Sequence, residues 1–184
     1  MTYREYPLIE ELIHLGIFNK KAVVLSLTAA GLLLLGGLLF IVINRTTTGI
    51  LWKHGVDKTE IKLTMEKTSF RFYLYEKKDG TQSKLDILTL RKEDEKSLWR
   101  YYYDTKLING HSEIVKAFYP TVENGNMVGH TVWGGSLKKS ASKINLRSSS
   151  GKIVPAELTF TAEDGTTYFL HDAGNNDSEV EIVD

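Results

Sequence analysis

Residues 22–43, "AVVLSLTAAGLLLLGGLLFIVI", contain no charged residue and no Asn, Gln or Pro over 22 positions. At about 1.5 Å of rise per residue, a helix of that length covers the roughly 30 Å of hydrocarbon in a bilayer. A secretory signal has a shorter apolar core, about 7 to 15 residues, and ends in small residues. Here "FIVINRTTTG" supplies bulky side chains at that point, so the expectation is one uncleaved transmembrane helix. Lipoprotein processing needs a Cys, and the chain has none.

Orientation follows from the basic residues that accumulate on the cytoplasmic side of a span. Arg4, Lys20 and Lys21 precede it, whereas Arg45, Lys53, Lys58 and Lys62 follow. The count alone is balanced. Lys20 and Lys21 together at one membrane edge, against Arg45 at the other, favour a cytoplasmic N-terminus. The C-terminal part is then expected outside the cytoplasm, and the lack of Cys fits a bacterial envelope that does without disulfides. Within the span, Ser26, Ala30 and Gly37 share a helix face, and Gly36 and Gly37 permit close approach of a second helix. That allows a homo-oligomer through the anchor.

Five segments result: a tail at 1–21, the span at 22–43, a connector at 44–57, a β-rich domain at 58–173 and an acidic tail at 174–184. In the first, Leu8, Ile9, Leu12 and Ile13 fall on one helical face, which suits a short helix at the membrane surface. In the connector, Trp52 is placed either among lipid headgroups or in the domain core. With 23 basic and 23 acidic residues, the chain offers no field of one sign, which argues against a nucleic-acid partner.

From residue 60 the hydrophobic period becomes two. Ile61, Leu63 and Met65 alternate with polar residues; Phe70, Phe72 and Leu74 form one face, and Arg71, Tyr73 and Tyr75 the other. Asp79-Gly80, "ENGN" and Glu163-Asp164-Gly165 are hairpin signals. "HSEIVKAFYP" is open between strand and helical turn, and Pro155 belongs at an edge or a bulge. "VEIV" either frays or adds a closing edge strand. About eight short strands predict a mainly β domain, an antiparallel sandwich or small barrel preceded by one transmembrane helix.

Chemistry-bearing patterns are sparse. His130 and Ser136 lie near each other in "GHTVWGGSLKKS", but "WGGSL" lacks the spacing of a nucleophile elbow, and its glycines are expected to end the strand in a turn or bulge. His14, His54, His111, His130 and His171 have no zinc spacing. Asp172, Asn175, Asp177 and Glu179 offer oxygen ligands to a hard cation such as Ca²⁺ without an EF-hand pattern; a solvated acidic tail is the expected reading. No catalytic residue, metal or cofactor is expected. "LWRYYYD" stands out, since alternation puts Trp99, Tyr101 and Tyr103 on one face and Leu98, Arg100 and Tyr102 on the other. One face enters a core, and the other leaves Tyr and Arg at the surface, a composition of protein contact surfaces and carbohydrate platforms; ordinary cross-strand packing against Tyr73 and Tyr75 is the simpler alternative. Trp99, Arg100, Tyr101 and Tyr103 are thus the partner-binding candidates.

At "LWRYYYD…HTVWGGSLKKSASKINL" the chain resembles the small single-pass proteins of Gram-positive bacteria that carry a β-rich extracytoplasmic domain of unassigned function. The resemblance covers residues 60–172 and implies a membrane setting with no catalytic residue to carry over. The expected role is a noncatalytic binding or accessory module at the outer membrane face. Its protein partner would belong to secretion, conjugation or envelope machinery, or be a toxin to neutralise. A receptor or enzyme for a cell-wall or lipid-headgroup component is the competing class, and it calls for a pocket joining His130 or His111 to a carboxylate.

Overall fold

A computed structural model of the chain describes residues 20–79, 82–94, 97–104, 114–174 and 180–183, with the side chains of Lys20, Lys21, Asp79, Gln82, Tyr103 and Asp104 set aside. The expectations placed on residues 1–19, on His14 and His111, and on Asn175, Asp177 and Glu179 fall outside those residues. Two compact units are present, residues 1–42 and 43–184.

In the first unit, helix α1 runs over Lys20–Arg45 and continues into the start of the second. Its stretch Ala22–Arg45 is long and apolar enough to cross a membrane. Leucines face outward all round, Leu33 being 77% exposed. The two hydroxyls in it return to its own backbone: Ser26 donates to the carbonyl of Val23 and Thr28 to that of Val24, each at 2.9 Å. No hydroxyl of those two is left to seek a partner in hydrocarbon.

The second unit is mainly β, with antiparallel sheets. Sheet one has the order β1-β2-β3-β4, from Ile61–Lys67, Phe70–Asp79, Gln82–Arg91 and Arg100–Asp104. Sheet two has the order β5-β6-β10-β9, where β5 is Ile114–Glu123, β6 Asn126–Leu137, β9 Leu158–Thr161 and β10 Thr167–Gly174. Sheet three is β11-β7-β8, from Val180–Val183, Asn145–Ser148 and Ile153–Pro155. None of the three closes on itself. "HSEIVKAFYP" thus contributes a strand, and "VEIV" pairs with β7. The strands exceed the expected eight partly because "KIVPAELTFTA" splits at Pro155, which cannot donate to a ladder; Ala156 instead donates to the carbonyl of Ile144.

Three hydrophobic clusters hold these layers. Met65, Phe70, Phe72, Leu74, Leu85 and Ile87 of sheet one meet Val115, Ala117, Tyr119, Val132, Tyr168 and Leu170 of sheet two. The opposite face of sheet one, Tyr73, Tyr75, Leu88 and Leu90, is covered by Ile50 and Leu51 of the short helix α2, Thr47–Lys53, and by Val56. The opposite face of sheet two, Trp133 and Phe169, packs on Ile144 and Leu146 beside and within sheet three. The connector is thus partly core: Ile50 and Leu51 are buried, whereas Trp52 is 71% exposed.

Alternation fails where the edge strands of sheet one are bulged. Ile61 pairs with Tyr75 but Leu63 with Leu74, so the register slips between them. Ile61 joins the cluster under α2, while Leu63 packs in the inter-sheet core, contrary to the single face expected for Ile61, Leu63 and Met65. The glycines of "WGGSL" also differ from expectation, since Gly134 and Gly135 lie buried inside β6 rather than ending it. A Cβ on Gly134 would stand 2.8 Å from Leu74 Cδ1 and 3.1 Å from Ile87 Cδ1. Glycine is needed there so that sheet one can approach sheet two.

Candidate functional site

At the edge of sheet one, as far as the described residues go, β4 repeats the bulge seen on β1. Leu90 pairs with Tyr101, yet Thr89 pairs with Tyr103, so Tyr102 is the extra residue. A bulge re-aims side chains, and the single Trp99–Tyr101–Tyr103 face expected from alternation is accordingly broken. Trp99 packs on the cluster under α2 and lies between two cations, with Arg71 Cζ 4.4 Å and Lys92 Nζ 4.9 Å from its ring centre. Arg71 also pairs with Glu66. Tyr101 stacks on His54, just after α2, at 4.1 Å between ring centres. Burial and the adjacent Lys53 hold the His54 pKa below its ordinary value, which favours the neutral form of the stacked ring. Tyr102 turns its edge to Phe70 at 5.2 Å.

Both tyrosines remain open to solvent, Tyr101 at 43% and Tyr102 at 38%. They line a cleft of about 200 Å³ together with Arg91, Glu93 and Arg100. Arg100 Nη1 donates to Glu93 Oε1 at 2.6 Å. Three of the four candidates, Trp99, Arg100 and Tyr101, therefore gather at one edge, two of them lining the cleft. Tyr103 is placed by the pairing of its backbone with Thr89. Arg91 and Glu93 escaped sequence reading because they belong to β3 and the turn after it, and only strand pairing brings them to β4.

A second polar group surrounds His130. Asn124 and Gly125 both have positive φ, 50° and 80°, as a type I′ two-residue hairpin requires. That turn sets the register and puts Tyr119 directly opposite His130. Tyr119 donates to Asp172 Oδ2 at 2.7 Å, and its hydroxyl lies 3.4 Å from His130 Nδ1. His130 Nε2 is 2.8 Å from Glu123 Oε1. Lys67 reaches across from β1 to Glu157 at 2.7 Å and to Asp172 at 3.7 Å. With both ring nitrogens of His130 engaged, this group is a polar strap between sheets. Ser136 stands six residues along the same strand from His130, roughly 20 Å away at 3.3 Å per residue, so the two cannot act together. Asp172 is already bonded to Tyr119 and to the backbone N–H of Gly174. Among the described residues, no group of three or more His, Cys, Asp or Glu is arranged to hold a metal ion.

Burial and the bond to Asp172 push the Tyr119 hydroxyl well above its ordinary value of 10. Folding therefore favours the neutral phenol, a contribution present in full below the unfolded value and lost as pH rises beyond it. The urea midpoint of the full chain in detergent is expected to fall above pH 10, and Tyr119→Phe should fall less steeply. Parallel slopes would separate Tyr119 from the alkaline loss.

No protein-family model, curated protein or solved structure matches the chain.

Proposed function

We propose that this chain is a membrane-anchored, noncatalytic binding module whose β unit lies outside the cytoplasm and engages a protein partner through the β4 edge of sheet one. The observation that carries the reading is the cleft of Arg91, Glu93, Arg100, Tyr101 and Tyr102. Exposed Tyr and Arg are the residue types enriched where proteins meet and where single residues carry binding energy. The aromatic bases of this surface are held by rings behind them, His54 behind Tyr101 and Phe70 behind Tyr102, so little side-chain freedom remains to be lost on association. The two larger sheets sharing one core support a sandwich arrangement. The anchor's apolar length supports residence in a cell membrane, and the paired Lys20 and Lys21 support a cytoplasmic N-terminus.

The test is crosslinking with a membrane-impermeant reagent on intact, wall-stripped cells, followed by identification of what is joined to the chain. A discrete protein adduct is expected. Tyr101→Ala or Arg100→Ala should weaken capture by more than about 1 kcal/mol, with the melting curve retained, whereas Val122→Ala in the β5–β6 hairpin should change nothing. Reaction only after lysis would reverse the orientation. Undiminished capture by both variants would move the interface to another face.

A further inference from the structure

We infer that the β4 cleft recognises a carboxylate, supplied by an acidic extended segment of the protein partner. This inference rests on the binding reading above and specifies its chemistry. Arg91 and Arg100 are direct cross-strand partners in the register of β3 and β4. Opposed like charges destabilise a sheet, so such a pair needs a counter-charge. One is present, since Glu93 pairs with Arg100. Among the described residues no carboxylate pairs with Arg91; its guanidinium instead lies 5.7 Å from the Phe70 ring centre and 6.0 Å from that of Tyr102. Among the described residues the cleft therefore holds two guanidinium groups against one carboxylate, and a second carboxylate completes the set.

The shape of the surface favours an acidic protein segment over a free anion. A guanidinium offers a planar fork that a carboxylate matches with two parallel hydrogen bonds. Glu93 on Arg100 shows that the cleft already accepts that group. Tyr101 and Tyr102 line the cleft together with the two arginines, adding aromatic surface that a small inorganic anion would leave unused. The bulge at Tyr102 interrupts the ladder, so recognition runs through side chains rather than by adding a regular strand.

The experiment titrates the full chain, in zwitterionic detergent, with two decapeptides of alternating Val-Glu and alternating Val-Gln. The Glu peptide is expected to bind, with an affinity that falls as salt rises, and the Gln peptide to bind much more weakly. Arg91→Gln and Arg100→Gln should each lose about tenfold in affinity, in line with a charge-assisted hydrogen bond. Arg91→Lys, which keeps the charge without the fork, should fall between wild type and Arg91→Gln. Arg147→Gln on β7, paired with Glu181 far along the chain, should bind as wild type does. Equal binding of the two peptides, or wild-type affinity in both cleft variants, would overturn the proposal. So would displacement of the Glu peptide by inorganic phosphate or phosphatidylglycerol vesicles at matched anion concentration. Arg91→Gln that still captures the crosslinked protein at wild-type level would overturn the acidic chemistry and leave the protein-partner reading standing. Peptide binding that depends on both arginines, with no protein adduct in cells, would support the carboxylate site and overturn the partner reading instead.

Discussion

Phe72→Ala is expected to lower the stability of the β unit by about 3 to 5 kcal/mol. Phe72 is completely buried in the cluster that sheets one and two share. Its ring is 5.2 Å from Tyr119, edge to face, and 6.4 Å from Phe70. Truncation removes the transfer energy of the ring, the aromatic pair with Tyr119, and the filling of a space walled on both sides by sheets. Sheets cannot easily collapse into such a void, because their ladders fix their backbones. Since a domain of this size has a total stability of about 5 to 15 kcal/mol, the variant should unfold at markedly lower urea. Fluorescence of Trp99 and Trp133 would follow the transition. A loss under about 1 kcal/mol would mean that the ring contributes no more than an ordinary surface side chain does.

Leu74→Ala should cost about 2 to 5 kcal/mol, and Gly134→Ala about 1 to 3 kcal/mol, while the double variant should be more stable than the sum of the two losses predicts. Both positions face the same plane from opposite sheets. A Cβ on residue 134 would meet Leu74 Cδ1 at 2.8 Å, closer than atoms of that kind approach, so the single Gly134→Ala change forces Leu74 out of place. Removing the Leu74 side chain vacates the space that the new methyl enters. Strict additivity in urea unfolding would show that the two residues do not share this contact. Ile87 and Leu170, also within 3.2 Å of that Cβ position, would keep the double variant below wild type.

Much of this architecture is legible in the chain because local rules and burial agree. The unbroken apolar run gives α1, the faces of "SFRFYLYEK" give the two sides of β2, and Asn124-Gly125 gives a hairpin whose register alone brings Tyr119 to His130. What alternation misread lies at β1 and β4. A bulge leaves the composition of a strand unchanged while inverting every face beyond it, so Ile61 and the Trp99–Tyr103 run could not be assigned from period alone. Gly134 misled for a related reason: glycine reads as a chain breaker, and only the approach of Leu74 and Ile87 from two distant strands, β2 and β3, makes it a packing residue. The cleft was half visible. Arg100 and Tyr101 stand in a conspicuous aromatic run, but Arg91 and Glu93 look like part of a charged turn until β3 is laid against β4. Trp52 is exposed and lies outside the core, because its neighbours Ile50 and Leu51 take the inward positions of a seven-residue helix.

The two bulges in sheet one also bear on crowding. Where copies of a chain are crowded, unprotected sheet edges meet often and can pair with one another. The two outer strands of sheet one among the described residues, β1 and β4, each carry an inserted residue, and such a bulge spoils the match of an edge to an identical neighbour. The same irregularity that shapes the β4 cleft thus makes this edge a poor template for a second copy.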